Sequence, residues 1–243
     1  MDLSSFSAAL CTVLAENGVN TPLSDQQAKQ FYDLTERLLT INQTMNLTAI
    51  RDEAGVMLHH LADSLTLLPY LPASGAVLDV GCGGGFPSLP LCLCRPDLAF
   101  TGLDSTEKKV RYVAETATVL GLMNYRALAG RAEELAHGPL RETFSTVTAR
   151  AVADLPVLCE LCLPFVAVGG TFLAMKGAKG EAELSAAETA VTKLGGAVAA
   201  VHALALTDPN GVKEKRLIVE IKKERPTPPA FPRPFAKIQK KPL

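Results

Sequence analysis

The chain has 243 residues, 48% hydrophobic and 20% charged, with a formal net charge of −1. That mix can fill a core and excludes wholesale disorder, while the near-neutral balance excludes a global polycation, so any nucleic-acid contact must come from a local basic patch. Six irregularly spaced cysteines exclude a disulfide scaffold. The opening MDLSSFSAAL lacks a basic stretch followed by a long apolar run, so no secretory signal is read and a cytoplasmic location is expected.

Residues 1–72 read as a helical segment. Ser24 with Gln27 three residues on, just after Pro22, marks a helix start. Phe31, Leu34, Leu38, Ile41 and Met45 then recur at helical spacing on one apolar face. Leu58, Leu61, Leu65 and Leu68 define a second helix, ended by Pro69 and Pro72. At Ala76 the period changes. Strands are predicted at 76–80, 98–104, 125–130, 144–150 and 170–176, with helices at about 87–94, 106–120 and 155–167 between them. The window 155–175 is the most apolar, but Pro156, Glu160, Pro164 and Gly169-Gly170 argue against a membrane span. A helix at 180–194 precedes two last strands, 197–206 and 215–222. The turn between them, with Asp208, Pro209, Asn210 and Gly211, is too short for a crossover, so they should form an antiparallel hairpin. Alternating strands and helices finished by such a hairpin predict an α/β methyltransferase-like fold: a mostly parallel, seven-stranded sheet over residues 73–225.

The tail, 226–243, holds six prolines and is expected to lack regular structure. From Lys213 onward ten Lys or Arg stand against three Glu, a local net of +7 against −8 for the remainder. Two readings stand side by side: a solvated end, or a polyanion-binding arm.

Asp79-Val80-Gly81-Cys82-Gly83-Gly84-Gly85-Phe86-Pro87 follows the first strand and opens a helix. Glycines there allow a sharp turn and close approach of a ligand to the main chain, beside unpaired helix N–H groups. A phosphate-cradling P-loop would end in Gly-Lys-Ser/Thr, which is absent. A dinucleotide fingerprint wants a small residue where Phe86 stands, and Asp79 would face its pyrophosphate. S-adenosylmethionine carries no phosphate, and its ammonium suits a carboxylate such as Asp79. Gly81, Gly83 and Gly85 are therefore read as the cofactor cradle. Asp104, ending the second strand, is placed to accept from ribose hydroxyls, with a helix N-cap as the plainer role. Arg131-Ala132-Glu133 follows the third strand, where an adenine edge would sit, and Arg150 follows the fourth.

These pieces resemble the ribosomal RNA small subunit methyltransferase G family, also called glucose-inhibited division protein B. The resemblance rests on Met45-Asn46-Leu47-Thr48, His60-x-x-Asp63-Ser64, the glycine loop, Leu103-Asp104-Ser105, Lys108-Lys109, Arg131-Ala132-Glu133, Ala149-Arg150-Ala151 and Met175-Lys176-Gly177, in family order. It implies a class I S-adenosylmethionine-dependent fold. It also implies methylation of guanosine N7 in the decoding-region loop of 16S rRNA, with cofactor contacts at Gly81, Phe86, Ala132, Glu133 and Arg150. Three positions depart from the family pattern: Ser88 where Gly is usual, Ser145 where Asp is usual, and Phe231-Pro232-Arg233-Pro234 near the end.

Guanine N7 keeps a free lone pair at neutral pH, so no catalytic dyad is expected, and none is evident. His60 and Asp63 share a helix face, either as a hydrogen-bonded pair or as a lid or RNA contact. Cys92, Cys94, Cys159 and Cys162 lie in apolar helices without a second finger-spaced pair and read as buried small residues, so no metal is expected. The expected partner is 16S rRNA or the small ribosomal subunit, engaged by a monomer without membrane association. The alternatives are a methyltransferase acting on another RNA or a small molecule, an NAD-dependent oxidoreductase, or an RNA-binding module without activity.

Overall fold

Helix α1 (Leu3–Glu16) and helix α2 (Asp25–Met45) open the chain in the computed structural model, which describes residues 1–243. The predicted capping box forms: the Ser24 hydroxyl accepts from Gln27 N–H, and the Gln27 side chain accepts from Ser24 N–H. Phe31, Leu34 and Leu38 on the apolar face are fully buried. The next helix is not regular. A short α3 (Glu53–Val56) runs into a π turn (Met57–Ala62) and then α4 (Asp63–Leu65).

The sheet comprises β1 (Ala76–Val80), β2 (Ala99–Asp104), β3 (Tyr125–Ala129), β4 (Phe144–Arg150), β5 (Val166–Lys176), β6 (Gly196–Thr207) and β7 (Lys213–Lys223). Its order is β3-β2-β1-β4-β5-β7-β6, parallel through β5, with β7 antiparallel to both β5 and β6. This is the predicted seven-stranded sheet with its terminal hairpin. Helices α5 (Ser88–Cys94), α6 (Glu107–Val119), α7 (Ala132–Leu135), α8 (Leu155–Cys162) and α9 (Gly180–Lys193) connect the strands. α1, α2, the π turn, α5 and α6 pack one face in a single apolar cluster, so the N-terminal helices share their core with the sheet. α8 and α9 pack the other face. Strand order reverses between β1 and β4, and the carboxyl ends of that pair frame the crevice where such sheets bind ligands.

Two expectations are corrected. The helix expected over 155–167 stops at Cys162, and Leu163–Phe165 form a single 3-10 turn. Pro164 cannot continue the α-helix, and the β-branched Val166 starts β5 earlier than the expected 170. The tail, expected to be irregular, carries helix α10 (Phe235–Lys240) and is anchored. Phe231, Ile238 and Thr227 are buried. Arg233 donates to the fully buried Glu160 through its backbone N–H, Nε and Nη2 at 2.6–2.8 Å. Prolines bar a long helix but not a packed strap, and Phe231, Phe235 and Ile238 supply an apolar face. The tail is a packed strap, and Lys237, Lys240 and Lys241 stand exposed on it. Part of the charge is spent internally, as Lys223 shows: it is buried against Glu142 and the Leu163 carbonyl, and burial pushes its amine down to about 8.

Candidate active site

The glycine loop is tied to the strand beside it. Gly81 and Cys82 N–H both donate to the Leu103 carbonyl, at 2.7 and 3.0 Å. Asp104 closes the loop from β2: its Oδ2 accepts from Gly83 N–H at 3.0 Å and its Oδ1 from Thr106 N–H at 2.8 Å. Each oxygen retains a lone pair, and Asp104 lines the cleft. The plainer role, ordering the turn into α6, is therefore present, and the ribose role is sterically open beside it. Gly83 has φ +54°, and a Cβ built there would meet no protein atom nearer than 3.9 Å. Space for a ligand therefore lies directly against its main chain.

Asp79 sits behind this wall. It is fully buried and does not line the cleft. Its Oδ2 accepts from Ser88 N–H at 3.2 Å, and its Oδ1 has no partner. Burial pushes its carboxyl up to about 6, the Ser88 hydrogen bond opposing. Ser88, a departure from the family pattern, also bonds its hydroxyl to the Tyr125 hydroxyl at 2.8 Å, which gives that phenol a partner inside the protein. Ser145, the second departure, opens β4 at the end of the sheet away from the cleft, where its hydroxyl donates to the Ala76 carbonyl.

The other wall is built around Arg150. Its Nη1 donates to the His59 carbonyl at 2.7 Å and to Asp63 Oδ2 at 2.9 Å, and its Nη2 to His60 Nδ1 at 3.1 Å. Arginine only donates, so His60 Nδ1 is the acceptor and the ring proton sits on Nε2, facing Thr48 Oγ1 at 2.8 Å. Burial, then the neighbouring Arg150 charge, pushes His60 down to about 3, which keeps it neutral. Its ring stacks on Phe86 with centroids 4.6 Å apart. The π turn makes the carbonyl contact available: Asp63 N–H, which a regular α-helix commits to His59, bonds Leu58 and His60 carbonyls instead. Arg216 of β7 completes the node, donating to Asp63 Oδ1 at 3.3 Å.

These walls enclose a cleft of about 520 Å³. Of the residues expected to touch a cofactor, Gly81, Gly83, Phe86, Asp104, Ala132, Glu133 and Arg150 line this cleft, together with Gly84, Lys109 and Phe235. Asp79 and Gly85 support it from behind. A second cavity of about 570 Å³ adjoins it, and His60, Arg150 and Ala151 border both. A family model described as rRNA small subunit methyltransferase G matches residues 26–212. The Ribosomal RNA small subunit methyltransferase G of Geobacillus kaustophilus is 43% identical over 96% of this chain and 97% of its own. That of Macrococcus caseolyticus is 42% identical over 91% and 92%. The chain belongs to the rRNA small subunit methyltransferase G family.

Solved structures agree on the fold. A SAM-dependent methyltransferase from Methanosarcina mazei superposes with a TM-score of 0.51 at 14% identity, over 65% of this chain and 97% of its own. M. jannaschii TYW2 in complex with AdoMet gives 0.51 at 14%, over 62% and 69%. The structure gives the scattered motif pieces a common place: Thr48, His60, Asp63 and Arg150 converge on one node. Reading the sequence left His60 and Asp63 as a hydrogen-bonded pair or as a lid or RNA contact; they do not bond each other, and both bond Arg150. It missed Arg216, the π turn and Phe235. Leucine spacing alone cannot register a single widened turn, and nothing local ties β7 or the tail to the cleft. Cys159 and Cys162 are buried in the core, and burial pushes the Cys159 thiol up to about 12. No helix is long and apolar enough to cross a membrane.

Proposed function

We propose that this protein transfers a methyl group from S-adenosylmethionine to N7 of a guanosine in the decoding-region loop of 16S rRNA, acting in the cytoplasm as a monomer on the rRNA or the small ribosomal subunit. Family membership supports the substrate. The observation that carries the chemistry is the pair of adjoining cavities sharing the His60–Arg150 wall, one room for a donor and one for an acceptor.

The residues present fit the donor. The clear space at Gly83 admits a ligand onto the main chain, Asp104 keeps lone pairs for hydroxyl donors, and the buried Asp79 places a carboxylate behind the loop for a cation. Gly81, Gly83, Asp104, Ala132 and Glu133 would hold it, with Phe86 and Arg150 toward the acceptor side. When bound, S-adenosylmethionine supplies an electrophilic methyl carbon on a sulfonium.

The protein's remaining task is alignment and exclusion of water. The N7 lone pair needs no base, and no side chain of the shared wall is free to be one: His60 Nδ1 is committed to Arg150 and its Nε2 proton to Thr48. Arg150, held by three partners, is rigid and keeps its charge in a fixed place. Orientation of this kind supplies about 7–11 kcal/mol at best. Splaying the guanine from its stack costs a few kcal/mol, repaid by contacts to the base and its neighbours. The second cavity offers Lys179 and Arg216 for that purpose.

The test is incubation of purified protein with isotopically methyl-labelled S-adenosylmethionine and unmethylated small subunits, then nuclease digestion and mass spectrometry. Label in 7-methylguanosine from one decoding-region fragment is expected. Label in another nucleoside or another fragment overturns the assignment of the acceptor. Binding of adenosylhomocysteine but not NAD separates this reading from an oxidoreductase.

A further inference from the structure

The anchored tail ends its buried run at the cofactor cleft. Phe235, first residue of α10, lines the cleft beside Gly130, Arg131, Ala132 and Glu133. We propose that this C-terminal strap is part of the cofactor site, and that Phe235 forms the wall against which the adenosine half of S-adenosylmethionine packs. The proposal rests on the cofactor reading above.

Three observations carry it. The first is position. The segment after β3 is where an adenine edge would lie in a sheet of this order, and Phe235 adjoins that segment, with the Arg131 guanidinium carbon over one face of its ring at 5.2 Å from the centroid. Phe86, the other phenyl ring of the cleft, is already covered by the His60 stack.

The second is anchorage. Arg141 donates to the Phe231 carbonyl at 2.9 Å and to the Thr227 carbonyl at 2.7 Å. His137 Nε2 lies 2.9 Å from the Pro232 carbonyl oxygen. Arg233 is held by Glu160, and Ile238, one turn on in α10, is fully buried. These contacts fix the backbone immediately before and after Phe235, so the ring is delivered to the cleft by a rigid mount.

The third is exposure. Phe235 is half-buried against the second apolar cluster and borders both the cleft and a smaller neighbouring pocket beside His137 and Pro232. A purine face gains from packing on an aromatic ring whatever its hydrogen bonds, which suits a phenyl group with no polar atom.

The chain contains no tryptophan, which gives a direct test. Phe235→Trp places a single fluorophore at the proposed wall. Titration with adenosylhomocysteine, and with 5′-methylthioadenosine, which lacks the amino-acid end, should change its emission with the midpoint found by calorimetry. Phe235→Ala should weaken both ligands by about tenfold, and equally, while the ligand-free protein keeps its melting temperature within a few degrees. A silent tryptophan in a protein that still binds adenosylhomocysteine, with Phe235→Ala within about twofold of the parent, overturns the proposal while leaving the cofactor reading intact. A silent tryptophan together with an unfolded Phe235→Ala variant overturns it as well, since the ring would then serve only the fold. Failure of the unaltered protein to bind either ligand overturns both.

Discussion

The two walls of the cleft are made differently. The glycine loop is local: strand, turn and helix follow one another over residues 76–94, and the wall is mostly main chain. The Arg150 node is assembled from Thr48, His59, His60, Asp63, Arg150 and Arg216, drawn from the N-terminal helices, β4 and β7. A backbone wall tolerates almost any side chain that respects its dihedral angles and free space. A side-chain node fails when any one partner is removed, because the rest are left buried and unpaired.

The largest expected effect breaks the node. Arg150→Ala leaves Asp63, 5% exposed, with Arg216 alone, and frees the His60 and Phe86 rings to shift. Methyl transfer should fall by about a hundredfold or more in single-turnover assays. Folding stability should fall by about 3 kcal/mol in denaturant titrations, while RNA affinity in filter binding stays close to the parent. Retained transfer would mean that the node is scaffolding only.

Gly83→Ala strikes the other wall. A methyl group there meets no protein atom nearer than 3.9 Å, so the ligand-free protein should lose only about 1–2 kcal/mol for the left-handed backbone. Calorimetry should nevertheless show adenosylhomocysteine bound about tenfold more weakly, or worse. A larger loss of stability than of affinity would show that the loop is built for packing.

Asp79→Asn sharpens the contrast by opposing stability to binding. The Asp79 carboxyl is raised from 3.8 to about 6 on folding. The folded protein therefore binds more protons than the unfolded chain in that window, and stability present below pH 3.8 is lost as pH rises through 6. At pH 8 the amide should stabilise by roughly 2–3 kcal/mol, a gain that shrinks toward pH 4 in thermal melts. Cofactor affinity should drop several-fold if the carboxylate serves the ammonium from behind the loop. His60, depressed to about 3, has the opposite sign: stability present above pH 6.5 is lost as pH falls toward 3.

The smallest effect belongs to the far end of the sheet. Ser145→Ala removes one hydrogen bond to Ala76 and should cost about 1 kcal/mol without changing methyl transfer. Reduced transfer would couple β4 along its whole length to the cleft.

This division also explains what could be read beforehand. The sheet, its order-reversing pair and the glycine loop follow from contiguous patterns, because strand alternation and turn chemistry are written within a few residues. Asp104 was legible for the same reason, lying at a strand end. Asp79 was legible as an acid but not as a buried one, since its removal from the cleft depends on the Ser88 N–H folding over it. The node residues were visible only as pieces, because distance in the chain hides contact. The tail was misread because proline content predicts the absence of long helices, not the absence of packing. Glu160, the partner that anchors it, lies in α8, far away in sequence.

The π turn at Met57–Ala62 places a constraint on length as well as identity. A widened turn is equivalent to one residue more than a regular helix would use. Deleting a single residue there would restore ordinary helical pitch and leave everything downstream in phase, because the bulge is what absorbs the extra residue. Asp63 and Leu65 would keep their faces, but the His59 carbonyl that now accepts from Arg150 would return to the helix ladder. A one-residue gap at this turn, more than its residue identities, would therefore report whether that carbonyl is free to hold Arg150.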